Sequence, residues 1–184
     1  MDLSILLDTG FGDDVAIAEW HIMRNFTKHL IDFLDLGMNR MRVAMMSFAM
    51  HPKLEFYLND YFKPGLLKKH IDTIRDTGEG SSMTSGIQHI KEWIFNSNAG
   101  DRPKVPNVVL IITDDRPLEQ DVRATEGLQV VIVGLREYEE NLEEMAGDNG
   151  ITITVDGIRA MDRQVARIVT DRTKNLHPIT CPPG

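Results

Sequence analysis

The stretch Leu3-Ser4-Ile5-Leu6-Leu7-Asp8-Thr9-Gly10-Phe11-Gly12-Asp13-Asp14 decides how this chain folds. Residues 3–7 are almost wholly aliphatic, and such an unbroken run reads as a strand buried on both faces, because a strand with one wet face alternates. Asp8, Thr9 and Gly10 end the run with polar and turn-forming residues. Asp13 and Asp14 then stand where the first turn of a helix favours negative charge. Over 13–36 the stripe Val15, Ile22, Phe26, Leu30 and Phe33 predicts a long amphipathic helix, and Gly37 closes it. A buried strand, a tight polar turn and a covering helix make up the first half of a parallel βαβ unit.

The same logic extends outward. Residues 43–48, 108–112 and 128–133 are further apolar runs, interrupted only by Ser47 and Gln129, and are predicted as central strands. Leu54, Phe56 and Leu58 alternate with Glu55, Tyr57 and Asn59, and Ile151, Ile153 and Val155 with Thr152 and Thr154, which predicts two edge strands with a wetter face. Helical patterns fall at 66–74, 87–95, 118–124, 138–146 and 158–173. The link around His51-Pro52 is too short for a helical crossover, so the strands at 43–48 and 54–58 form a hairpin. The expected fold is α/β and doubly wound, a mostly parallel six-stranded sheet with one antiparallel edge strand and helices on both faces. One domain covers 2–176, and 177–184 form a Pro-rich C-terminal tail.

Composition narrows the function. The 184 residues suit one domain with a core of its own, and 42% hydrophobic with 26% charged residues is ordinary for a globular chain. A formal charge of -8 argues against nucleic acid as a partner. No apolar run approaches the ~20 residues of a membrane helix. The chain enters its first strand with no leader-like segment, as a domain excised from a longer protein would. Cys181 is the single cysteine, so no disulfide closes within the chain.

In an open parallel sheet, ligands bind beyond the carboxyl ends of the central strands. Three segments converge there: residues 8–14, residues 80–86 and Thr113-Asp114-Asp115. Their carboxylates and hydroxyls suit a hard cation such as Mg²⁺ or Ca²⁺. Asp13, Asp14, Ser81, Ser82 and Thr84 serve equally well as helix caps, so the spacing leaves both readings open. Asp8-Thr9-Gly10 is also the aspartic-protease tripeptide, but that chemistry needs a second carboxylate from a second β-rich half. Gly10-Phe11-Gly12 lacks the third glycine of a dinucleotide fingerprint. The six histidines form no chelating pair; His21 and His29 lie eight apart on one helix, beyond neighbour spacing. The ten methionines read as core filler, and the acidic stretch 137–144 as a solvated helix face.

Taken together, residues 3–8, the small-residue turn, the long helix, Arg42-Val43-Ala44-Met45-Met46-Ser47-Phe48, residues 80–87 and residues 108–114 resemble von Willebrand factor A domains, among them those of collagen VI, matrilins and integrins. In its complete form the family's metal-ion-dependent adhesion site is Asp-x-Ser-x-Ser, a threonine from a second loop and an aspartate from a third. The resemblance implies a metal site on Asp8, Ser81 and Asp114. Counting back from Gly86-Ile87 places Ser81 at the threonine position, with Ser82 its nearest competitor. Gly10 and Gly12 stand where the family has serines, and glycine offers only backbone groups. Asp115, often glycine in the family, adds a carboxylate that favours a cation and repels an acidic ligand. Gly10, Gly12, Ser82 and Asp115 complete the rim.

The expected function is a secreted binding module of the extracellular matrix, not an enzyme. The implied cofactor is Mg²⁺ or Ca²⁺ at an incomplete site, and the implied partners are a matrix protein such as collagen and other domains of a longer chain. The alternatives are a structural assembly module of an acidic, calcium- or mineral-associated matrix protein without a functional metal site, and a Rossmann-like enzyme using Asp8 and Asp114.

Overall fold

A computed structural model describes residues 1–11, 16–78, 80 and 82–176. The elements follow in the order β1 (Asp2–Asp8), α1 (Ala16–Phe33), β2 (Arg42–Phe48), β3 (Pro52–Phe56), α2 (Pro64–Thr73), α3 (Met83–His89), β4 (Asn107–Ile112), α4 (Glu119–Ala124), β5 (Gln129–Leu135), α5 (Glu139–Ala146), β6 (Ile151–Val155) and α6 (Arg163–Lys174). They build one six-stranded sheet in the order β3-β2-β1-β4-β5-β6. All pairings are parallel except the β2–β3 hairpin, where Met46 faces Leu54 and Phe48 faces Pro52.

The expected fold is therefore the observed one, and the burial explains why. Successive side chains of a strand point to opposite faces. Leu3, Ile5 and Leu7 of β1 pack with Phe26 and Leu30 of α1, Leu67 and Ile71 of α2 and Val169 of α6. Leu6, Met46, Val109 and Ile111 pack on the other face with Ile87 of α3 and Leu142 of α5. With both faces covered, the central strands are buried along their length except at the end residues Arg42, Asn107 and Leu135. Of the predicted α1 stripe, Phe26 and Leu30 are fully buried, Ile22 and Phe33 partly so, and Val15 lies outside the described residues.

Several local features differ from the sequence reading: α1 ends at Phe33, short of Gly37, and β3 runs over Pro52–Phe56 in place of 54–58. The helix expected over 87–95 begins earlier, at Met83, and passes into a π-type turn over Ile90–Ile94. The last helix is broken: a 3₁₀ turn at Ile158–Ala160 precedes α6, whose start is set by Asp162 accepting a 2.9 Å bond from the Val165 amide. An N-cap requires a non-helical residue, so the cap and a continuous helix exclude each other. Glu55, expected on the wet face of β3, has a side chain only 2% exposed. It accepts from Ser47 Oγ at 2.7 Å and pairs with Lys53 and His70, so the carboxylate is buried because it is partnered.

Candidate functional site

The parallel register sets the geometry of the rim. Leu7 of β1 pairs with Ile112 of β4, so Asp8 and Thr113 leave the sheet side by side. Thr113 Oγ1 donates to Asp8 Oδ2 at 2.9 Å and itself accepts from the Asp115 amide at 2.9 Å. The Gly10 amide donates to Asp8 Oδ1 at 3.0 Å. Asp8, Asp114 and Asp115 each offer a carboxylate oxygen, and these oxygens lie within 4.8 Å of one another.

Two of the three carboxyl groups hold their protons more tightly than usual. Burial raises Asp8 well above the ordinary carboxyl range, and the charges of Asp115 and Asp114 raise it further, against the pull of the bonds from Gly10 and Thr113. Asp114 is raised in the same sense, first by burial and then by Asp115. No ion pair among the described residues reaches any of the three. Asp8 is 1% exposed while Asp114 and Asp115 are half-buried, so carboxyl groups gather at the rim, partly out of water, with no cationic partner among the described residues.

The loop after α2 is stitched to the first loop. Asp76 Oδ1 accepts from the amides of Phe11 at 3.1 Å and Gly78 at 3.0 Å, and Thr9 and Thr77 share a 3.1 Å hydroxyl contact. The Thr77 amide donates to the Thr9 carbonyl at 3.0 Å. Asp76 did not stand out in the sequence. Its signal was Asp76-Thr77-Gly78, the pattern of an Asp side chain bonding backbone two residues on.

Of the residues singled out, Asp8, Asp114 and Asp115 come together and Gly10 lies beside them; Ser81 and Gly12 are outside the described residues, as are Asp13 and Asp14. Ser82 begins α3 without capping it, and its Oγ is buried with no partner among the described residues. Thr84 is spent elsewhere, donating to Asp121 Oδ1 at 2.6 Å and bracing α3 against α4. Three carboxylates are hard oxygen donors, the kind that Mg²⁺ and Ca²⁺ take.

The model of the von Willebrand factor type A domain matches residues 2–169. The chain belongs to that family. This A domain is 32% identical over 180 residues to matrilin-3 of Gallus gallus, an alignment covering 96% of this chain and 35% of that protein. It is 29% identical over 166 residues to the collagen alpha-5(VI) chain of Mus musculus, covering 85% of this chain and 6% of that one. The A domain thus spans about a third or less of the length of these relatives. Among solved structures it is similar to proximal thread matrix protein 1 from the mussel byssus with a zinc-occupied adhesion-site motif, at a TM-score of 0.76 and 20% identity, covering 94% of this chain and 47% of that one. Among the described residues, no helix of the A domain is long and apolar enough to cross a membrane.

Proposed function

We propose that this A domain is a cation-dependent adhesion module of a secreted extracellular matrix protein. One observation carries the reading: the oxygens of Asp8, Asp114 and Asp115 meet within 4.8 Å at the carboxyl ends of β1 and β4, with no cationic partner among the described residues. Asp8, Asp114 and Asp115 would hold Mg²⁺ or Ca²⁺, with Ser81 at the second-loop position and Gly10, Gly12 and Ser82 on the rim. When bound, the ion would offset most of the trio's charge and offer a coordination point to a ligand. Three carboxylates outweigh one divalent ion, so the loaded rim stays negative and favours a neutral or basic group of a matrix protein such as collagen. The kinship with matrilin-3 and collagen VI supports the matrix setting and a longer parent chain. Among the described residues the rim offers charge and positioning but no activated nucleophile, which supports binding and not turnover.

A second reading, assembly through flat surfaces without the cation, has one observation in its favour. Trp93 is 44% exposed and stacks on His89 at 4.0 Å, beside Tyr57 and Leu54. This face lies past the far end of α3 from the rim, and a preordered exposed tryptophan is a common interface anchor.

Calorimetry with Mg²⁺ and Ca²⁺ on the native domain and Asp8→Ala, paired with adhesion to immobilised collagen, tests the two. Saturable cation binding lost in Asp8→Ala, with adhesion lost in parallel, is the expected result. Adhesion untouched by Asp8→Ala but lost in Trp93→Ala would establish the second reading instead.

A further inference from the structure

The glycine at position 10 does more than omit a hydroxyl. A Cβ built there would lie 2.5 Å from the Gly80 carbonyl oxygen, 3.3 Å from that of Gly78 and 3.4 Å from the Ala49 Cβ. The first of these is closer than a carbon and a non-bonded oxygen approach. The space of the missing side chain is therefore taken, and what takes it is oxygen.

Gly80 is held in that place from behind. Its φ is +116°, which disfavours any residue with a side chain, and a Cβ there would meet the Met50 backbone at 2.9 Å. The turn between β2 and β3, the loop ending at Gly80 and the loop at Gly10 are thus three backbones in direct contact. The Gly10 amide is bonded to Asp8 Oδ1, so the residue that Gly80 crowds is also one that holds the buried carboxylate.

We propose that the Gly80 carbonyl oxygen stands in for the first-loop serine hydroxyl as a cation ligand, and that the site is thereby built for Ca²⁺ in preference to Mg²⁺. This rests on the reading of the rim as a cation site. Backbone carbonyls are ordinary Ca²⁺ ligands, and Ca²⁺ accepts irregular shells where Mg²⁺ demands a near-octahedral one. The proposal inverts the simple expectation from the motif. Returning serine to position 10 drives Gly80 away and weakens the site in place of completing it.

The test uses the only Gly-Ser step in the chain, Gly80-Ser81. Protein labelled with ¹³C at glycine carbonyls and ¹⁵N at serine gives one carbonyl correlation, that of Gly80. On titration with Ca²⁺ this resonance is expected to move downfield along the calorimetric binding curve. Gly10→Ser is expected to bind Ca²⁺ about tenfold or more weakly, and Gly10→Ser and Gly10→Ala both to melt earlier than the native domain. A still Gly80 carbonyl while the native domain binds Ca²⁺, or tighter binding by Gly10→Ser, overturns this inference and leaves the cation reading standing. A native domain that binds no Ca²⁺ overturns both.

Discussion

Strand β1 carries a buried carboxylate at each end, and the two are treated in opposite ways. Asp2, at the amino end, is fully buried and fully matched. Arg102 reaches it through Nε at 3.0 Å, through Nη2 and through its own amide at 2.9 Å, while Arg102 Nη2 also bonds the carbonyls of Met1 and Arg40. Asp8, six residues on, is 1% exposed and meets two further carboxylates in place of a guanidinium. A fold that needs a buried charge supplies its partner, as at Asp2. A fold that leaves one unmatched retains strain that a ligand can relieve. The amino end of the strand reads as structure and the carboxyl end as function, although both residues are aspartates at the ends of the same apolar run.

The largest expected effect breaks the matched end. Arg102→Ala strands the Asp2 charge and is expected to destabilise the domain by about 3–5 kcal/mol, read from urea midpoints, while Ca²⁺ affinity in the folded fraction stays unchanged. A loss of affinity equal to that of Asp8→Ala would erase the distinction between the two ends. Next comes Asp8→Ala, expected to lower cation affinity at least about a hundredfold, or ~2.7 kcal/mol. Its stability without cation should hold or rise, because a repelling charge is removed. Saturating Ca²⁺ at about 100 times its Kd should then stabilise the native domain by ~2.7 kcal/mol and Asp8→Ala by no more than ~0.4 kcal/mol. Asp115→Gly should cost about tenfold in cation affinity while strengthening attachment of ligands that present a carboxylate.

The smallest expected effect is in pH. Folded Asp8 and Asp114 hold protons more tightly than ordinary carboxyl groups, so in that window the folded chain binds more protons than the unfolded one. Their contribution therefore stabilises the cation-free domain as pH falls through the raised folded values toward about 4. Asp32 and Asp72 are lowered by Lys68 and Lys28 respectively, and their contribution is lost on acidification. Urea midpoints against pH, with chelator and with Ca²⁺, separate the two: Ca²⁺ should abolish the first contribution and spare the second. Parallel curves would show that the trio does not bind the ion.

The fold was legible because it depends on a pattern repeated over many residues. Apolar runs against alternating ones placed β1, β2, β4 and β5 inside and β3 and β6 at the edges. The approach of Asp8 to Asp114 followed from the parallel order alone. What escaped depends on single contacts between distant segments. Glu55 looks like a solvent-facing residue until Ser47 and His70 are brought to it. Gly10 looks like a lost serine until Gly80 is seen in the vacated space. The break before α6 hangs on one side chain, Asp162, in a stretch whose periodicity reads through it.

That break bears on motion. Helix α6 is fixed at its start by the Asp162 cap and by Arg163 bonded to Asp32 of α1, and at its end by Lys174 on the Phe33 carbonyl. Sliding it by one turn, about 5.4 Å, would require all three moorings to release together. A load applied at the rim would then meet a helix tied to α1 at both ends, by Arg163 and by Lys174.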